Sequence, residues 1–467
     1  MRLCWNILLI LCCAAMPLQA QRHPDELTIP PLEFNLVEPE RHVLSNGMIV
    51  YLLEDHELPL FRATTYFHAG SIYDPPDKMG LASLVGSVMR TGGTHTQTGD
   101  ELDETLEFIA GSVESGIGLE SGSVSVSVLK KDMKQGLQIF SDVMRIPEFR
   151  QEKLDLARNQ MLEGLRRRND SPGGIASREF SFQLYGVNHP LAREVTAASL
   201  NSITRDDMRQ YHSRFFVPNN AILAIAGDFI TGDLLKELEQ LFGDWTRQDL
   251  QLPGLPTISQ PQFPAAFLAR KDINQSNIIL GHFGMRRHDK DYLTVRIMNQ
   301  ILSSQRLFLR VRTDAGLAYS VGSTFTLGPD IGAFYAVMQN RADATVRAIQ
   351  LVQETIGEMR DQLVTDDELR IAKDSYLNSF VFNFDSPAGI VTQAATFELK
   401  GYPSDFLKTY RDKITTITKE DIRRVAREFL HPEQAILMVV GNPELFDAPL
   451  DGFGPLTEIP LDNAATK

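Results

Sequence analysis

The chain has 467 residues, 43% of them hydrophobic, and a formal net charge of −14. That length allows two to four domains with sizeable cores. The acidic balance argues against nucleic acid or an anionic membrane surface as partner, and past the N-terminus no apolar run approaches the ~20 residues of a spanning helix.

In chain order, MRLCWNILLILCCAAMPLQA opens with Arg2, continues in an apolar run from Ile7 to Ala15 and ends in Leu18-Gln19-Ala20. This pattern predicts a secretory signal over residues 1–20, too short to span a membrane stably and cleaved after Ala20. The expectation is an exported, periplasmic protein without membrane insertion. Lipoprotein processing at Cys12 or Cys13 is the alternative, but Leu9-Ile10-Leu11 lacks the small residue it usually needs. All three cysteines (Cys4, Cys12, Cys13) lie in this signal. The mature chain therefore has no disulfide, and its stability must come from core burial.

Asn46–Glu54 and Leu60–His68 read as an opening strand pair across a polar turn. Leu81–Met89 reads as a short apolar helix. The stretch from Glu114 to Glu120 reads as a Gly-rich loop, with the border of an edge strand as the alternative. In Gly122–Leu129, Ser and Val alternate, which places Val124, Val126 and Val128 on one face of a strand. Lys131–Arg145 and Gln151–Arg168 have helical periodicity. Thr204 is a helix N-cap, Val217–Asn220 a turn, and Ala221–Ala226 a buried strand.

The chain then repeats itself. Asp170-Ser171-Pro172-Gly173-Gly174-Ile175 returns as Asp385-Ser386-Pro387-Ala388-Gly389-Ile390. ITRDDM at Ile203–Met208 returns as ITKEDI at Ile417–Ile422, and Ala221-Ile222-Leu223 as Ala435-Ile436-Leu437. Three motifs in one order at one offset mark a duplicated domain, with too long a period for a solenoid. Both Asp-Ser-Pro motifs read as helix-to-helix turns, with Pro in a first turn. Between the halves, residues 247–265 carry Pro253, Pro256, Pro261 and Pro264 and read as an extended linker. The expected plan is a first half over 36–246 and a second over 266–445. Strands at both ends with helices between them predict α+β halves, each a mostly antiparallel sheet with helices on one face. In the second half Val295–Thr313 reads as a helix ended by Gly316, and Leu317–Thr326 as the strand after it.

Two segments carry a family resemblance. AGSIYDPPDKMGLASLVGSVMRTGGT (Ala69–Thr94) resembles the metal-site segment of the pitrilysin/insulinase zinc peptidases, whose helix holds His-x-x-Glu-His. RVRTDAGLAYSVGS (Arg310–Ser323) is similar to the family's segment with an Arg followed seven residues later by a Tyr. The resemblance covers roughly residues 36–445. It implies the LuxS/pitrilysin-like metalloenzyme fold: two homologous α/β halves joined by a linker and forming half of a clam shell.

At the three metal-site positions this chain has Ser83, Gly86 and Ser87. Catalytic zinc needs three protein ligands, and the Glu of such a helix acts as general base. Two hydroxyls and a glycine supply neither. The family's third ligand would fall within Asn159–Arg168, where Glu163 is the only acid, and one carboxylate cannot hold the ion. The ten histidines include no pair four residues apart. No cofactor is expected in this chain.

Arg312 and Tyr319 match the family's Arg/Tyr spacing. By resemblance the guanidinium holds a peptide carbonyl and the phenol donates to the oxyanion of a tetrahedral intermediate. Bacterial relatives often come as paired chains, one with His-x-x-Glu-His and one with the Arg/Tyr half alone. The expected function is therefore the non-catalytic subunit of a heterodimeric zinc metallopeptidase. Its partners would be a zinc-bearing, His-x-x-Glu-His homologue and a peptide substrate. An inert scaffold or peptide-binding protein of the same fold is the alternative. A lone enzyme of other chemistry has no support, since there is no Gly-x-Ser-x-Gly elbow, Cys nucleophile or phosphate loop.

Overall fold

The computed structural model describes residues 37–258 and 263–461. The predicted signal lies outside these residues. Among them no helix is long and apolar enough to cross a membrane.

The first half has six strands: β1 (Glu40–Val43), β2 (Ile49–Glu54), β3 (Leu60–Phe67), β4 (Ser112–Ile117), β5 (Gly122–Leu129) and β6 (Ala221–Gly227). Its helices are α1 (Leu81–Thr91), α2 (Gly99–Phe108), α3 (Met133–Arg145), α4 (Gln151–Arg166), α5 (Pro172–Tyr185), α6 (Ala197–Ser202), α7 (Arg205–Phe215) and α8 (Thr231–Phe242). The second half has β7 (Ala265–Arg270), β8 (Gln275–Arg286), β9 (Ala318–Phe325), β10 (Ile331–Arg341), β11 (Ile436–Gly441) and β12 (Leu456–Ile459). Its helices are α9 (Tyr292–Gln300), a π-helix (Ile301–Asp314), α10 (Thr345–Asp361), α11 (Asp366–Phe380), α12 (Pro387–Leu399), α13 (Phe406–Thr416) and α14 (Lys419–Phe429).

The sheet orders are β1-β2-β6-β3-β5-β4 and β12-β7-β11-β8-β10-β9, one pattern used twice. The first sheet is antiparallel except where β2 runs parallel to β6. In the second, β7 lies parallel to both β11 and β12. The fold is α+β, as the sequence indicates, and β12 extends the second sheet beyond residue 445. β2 and β3 are not direct partners. β6, buried at every position, lies between them because its unbroken apolar run suits only a strand covered on both faces.

Two other expectations change. The first four residues of the Glu114–Glu120 stretch belong to β4, an edge strand paired along its length with β5. The predicted Val295–Thr313 helix is α-helical only to Gln300 and continues as a π-helix.

Each half packs its own helices on one face of its sheet. In the first half, Phe61, Ala63, Val124, Val126, Leu223 and Ile225 face α1, α3 and α7. The opposite faces are covered by exchange. Val391, Ala395 and Leu399 of α12 pack on Ile222, Ala224 and Ala226 of β6. Ile175, Phe180 and Leu184 of α5 pack on Ile279, Met438 and Val440 of the second sheet. These exchanged helices are the ones that start at the repeated Asp-Ser-Pro motifs. Ser171 and Ser386 are their N-caps, each accepting from the backbone N–H three residues on at 3.2 Å. Each large apolar side chain buried this way stabilises by about 1.5–3 kcal/mol, so each sheet depends on a helix from the other half. Ion pairs tie the same seam: Arg41 to Glu398 at 2.7 Å and Arg287 to Glu120 at 2.6 Å.

Candidate functional site

Helix α1 carries the positions where the resemblance puts a metal site. Its N-terminus is held by Asp74, whose carboxylate accepts from the N–H groups of Gly80 and Ala82, both at 2.9 Å. Burial pushes that carboxyl up to about 7, against the opposing pull of the two amide bonds. On the helix, Ser83 is half-buried, Gly86 buried and Ser87 exposed.

Gly86 is where α1 meets β4. A Cβ built there would lie 2.4 Å from the backbone nitrogen of Ile117 and 2.9 Å from the carbonyl carbon of Gly116. The Ser115 hydroxyl donates to the Gly86 carbonyl at 2.6 Å and holds the strand in place. The position of the family's general base is therefore filled by strand backbone. Glu163 on α4 is exposed and pairs with Arg166 at 3.0 Å. Ser83, Ser87 and Glu163 offer one carboxylate between them, which does not fit zinc. Among the described residues no three His, Cys, Asp or Glu are grouped so that they could hold a metal ion.

Histidine does structural work elsewhere. His282 on β8 accepts from the His431 N–H at 2.9 Å and donates to the Phe283 carbonyl at 2.7 Å. His212 on α7 donates to the Met144 carbonyl at 2.9 Å and stacks on Phe216. Burial pushes both imidazoles down to about 4, so both are neutral at pH 7. His288 lies edge-on to Tyr402, and the His282 ring has its centroid 5.5 Å from that of His431.

Arg312 and Tyr319 stand in the second half. Arg312 is in the last turn of the π-helix, exposed, with its guanidinium 4.8 Å over the Phe308 ring. Its neighbours Arg306 and Arg310 are ion-paired with Glu368 and Glu358. Arg312 makes no ion pair or hydrogen bond among the described residues, so all its donors stay available. A tight connection follows: the Leu317 N–H bonds back to the Val311 carbonyl at 3.0 Å, and Gly316 takes a left-handed φ of 62°.

Tyr319 is then the second residue of the edge strand β9. Ser320 pairs with Gln339 and Ala318 with Asn340, which leaves Tyr319 as the extra residue of a bulge. Bulges at sheet edges re-aim a side chain, and Tyr319 is 53% exposed. The chain thus presents an unpaired guanidinium and a solvated phenol at the two ends of one short turn. Both are hydrogen-bond donors to oxygen. Sequence reasoning singled out both residues as candidates. It missed the bulge, for which a single residue leaves no pattern, and preferred a loop where β4 ends, because Gly116 in the strand and Gly118 just after it masked the pairing.

The insulinase (peptidase family M16) model matches residues 50–191, and the model of the peptidase M16 inactive domain matches residues 202–376. The chain is similar to an uncharacterised zinc protease, YmxG, of Bacillus subtilis, with 24% identity over 86% of this chain and 98% of that protein. The crystal structure of an M16 inactive domain from Pseudomonas fluorescens superposes with a TM-score of 0.79 at 25% identity, covering 87% of this chain and 98% of that one. The periplasmic protease PqqL of Escherichia coli shares the fold at a TM-score of 0.76 and 14% identity, covering 89% of this chain but 48% of PqqL. With two family domains in order, the pitrilysin-type fold of paired halves, and Ser83, Gly86 and Ser87 at the positions of the zinc motif, this chain belongs to the insulinase (M16) family.

Proposed function

We propose that this chain is the non-catalytic subunit of an exported heterodimeric zinc metallopeptidase. In this reading residues 1–20 are a cleaved signal, 36–246 and 266–445 are the homologous halves, and 247–265 link them. Arg312 and Tyr319 act in trans on a peptide held against a partner with an intact His-x-x-Glu-His helix.

The observation that carries the reading is the contrast between two sites on one chain. The metal-site helix has lost its ligands and is closed by β4 at Gly86. Arg312 and Tyr319, by contrast, remain exposed, without the partners that engage neighbouring arginines.

The chemistry asked of this chain is donation. A guanidinium can grip a substrate carbonyl by two parallel bonds and so fix the peptide's register. A phenol placed where negative charge develops stabilises the oxyanion, an effect of about 10²–10³ in turnover for one donor. Neither step needs a general base or a metal from this polypeptide.

The test is reconstitution. The mature chain is co-expressed with a homologous His-x-x-Glu-His chain from the same genome. Peptide hydrolysis is then assayed for each alone and for the pair. Activity confined to a stable one-to-one complex supports the proposal. A zinc-bearing chain as active alone as with its partner would leave this chain as a scaffold or peptide-binding protein.

A further inference from the structure

A cavity of about 510 Å³ opens on the seam between the halves, and neither Arg312 nor Tyr319 lines it. One wall is the start of the first half around Val37, Arg41 and Tyr51; the other is α12 with the loop into α13. The volume lies in the range of small-molecule sites, which combine an apolar, aromatic lining with a few polar groups.

The polar groups here are largely engaged with one another. Arg41 holds Glu398 through two bonds of 2.9 and 2.7 Å, and the Tyr51 hydroxyl donates to the same carboxylate. Lys408 pairs with Glu38 at 2.8 Å. Both cations and two of the three acids are thereby satisfied. The third acid, Asp405, is exposed at the rim, and its carboxylate makes no ion pair or hydrogen bond among the described residues. The apolar wall is aromatic: the lining Phe397 and Tyr402 rings lie 5.0 Å apart, and Phe406 behind them is 4.9 Å from Tyr402.

From this lining we infer that the cavity is a binding site for a small amphiphilic monocation, an aromatic ring bearing one ammonium group. The ring packs against Phe397 and Tyr402, and the ammonium meets Asp405 at the rim. Aromatic faces also attract a cation. An anionic ligand is disfavoured, since its only cationic partners are already bound to Glu398 and Glu38. Because both halves form the walls, a bound ligand stabilises their docking. The inference is independent of the role proposed for Arg312 and Tyr319.

The experiment titrates the mature chain with tryptamine by calorimetry, beside 3-ethylindole as neutral isostere and indole-3-propionate as anionic one. Tryptamine should bind saturably at one site, about two- to fivefold tighter than 3-ethylindole, as expected for a single exposed charge contact. Indole-3-propionate should bind most weakly. Asp405→Asn should remove the tryptamine preference and leave 3-ethylindole binding unchanged. Ala394→Phe, which fills the cavity, should abolish binding of all three in a chain that retains its wild-type circular dichroism. The surface variant Asp405→Asn discriminates even where Ala394→Phe folds poorly. No saturable binding of any probe at millimolar concentration overturns the inference. So does indole-3-propionate binding as tightly as tryptamine, or tryptamine binding unaffected by Asp405→Asn.

Discussion

Replacing Gly86 by alanine sets two opposing effects against each other. Glycine inside a helix costs about 1 kcal/mol relative to alanine, so propensity alone predicts a more stable protein. The structure predicts the reverse. The new Cβ would stand 2.4 Å from the Ile117 nitrogen, and all three nearest atoms belong to the backbone of β4. The strand must shift, since no flexible side chain is there to yield. Overpacking of this kind costs about 1–3 kcal/mol. Displacing β4 also loosens the 2.6 Å bond from Ser115 to the Gly86 carbonyl, worth about 1 kcal/mol. The net is a destabilisation of about 1–3 kcal/mol. Urea unfolding followed by circular dichroism measures it, and amide exchange locates it: Ser115, Gly116 and Ile117 should exchange faster in the variant. A Gly86→Ala variant more stable than wild type, with β4 exchange unchanged, would refute the close packing of α1 on β4.

Three further outcomes follow from the same structure. Neutral, buried His212 and His282 have folded values near 4 against about 6.5 unfolded, so their contribution is present above pH 6.5 and lost as pH falls towards 4. Each loses up to about 3 kcal/mol, and His212→Gln should flatten the stability profile between pH 6.5 and 4. Asp74 has the opposite sign, its contribution being lost as pH rises towards 7, so the measurement is the difference between variant and wild type; parallel profiles would refute the assignment. The halves, 37–246 and 266–461, should each be poorly soluble alone, because β6 loses α12 and the second sheet loses α5. Co-expression should recover a one-to-one complex, whereas two independently monodisperse halves would contradict the exchange. Metal analysis of the purified chain should find far less than one zinc per molecule, and one tightly held zinc would contradict the reading of Ser83, Gly86 and Ser87.

Much of the architecture is written locally in the sequence. The Ser/Val alternation over Gly122–Leu129 gives β5 residue for residue, with Val124, Val126 and Val128 buried as expected. Thr204 and Thr418 form the capping boxes of α7 and α14 with Asp207 and Asp421. The features that escaped depend on long-range context. The Asp-Ser-Pro motifs announce a capped helix but not which sheet it covers. α12 has apolar residues on more than one side because Val391 and Ala395 face the first sheet while Ala394 and Phe397 line the seam cavity. β4 resembles a loop in sequence because glycines, such as Gly116 within it, are poor strand formers; the glycine that the close approach of α1 and β4 requires is Gly86 on the helix. At the candidate site, the spacing of Arg312 and Tyr319 is legible by family resemblance. The freedom of Arg312 is not, since Arg306 and Arg310 look identical in sequence and find acids only through α11 and α10.

In the proposed role this chain takes part in a reaction whose metal lies on another polypeptide. The most direct test is the turnover of the assembled heterodimer carrying Tyr319→Phe, which removes one hydroxyl from an exposed edge residue and leaves the fold alone. Normal assembly and a fall in kcat of about 10²–10³ are expected, with Arg312→Ala mainly raising KM. A Tyr319→Phe heterodimer that assembles normally and turns over like wild type would contradict it.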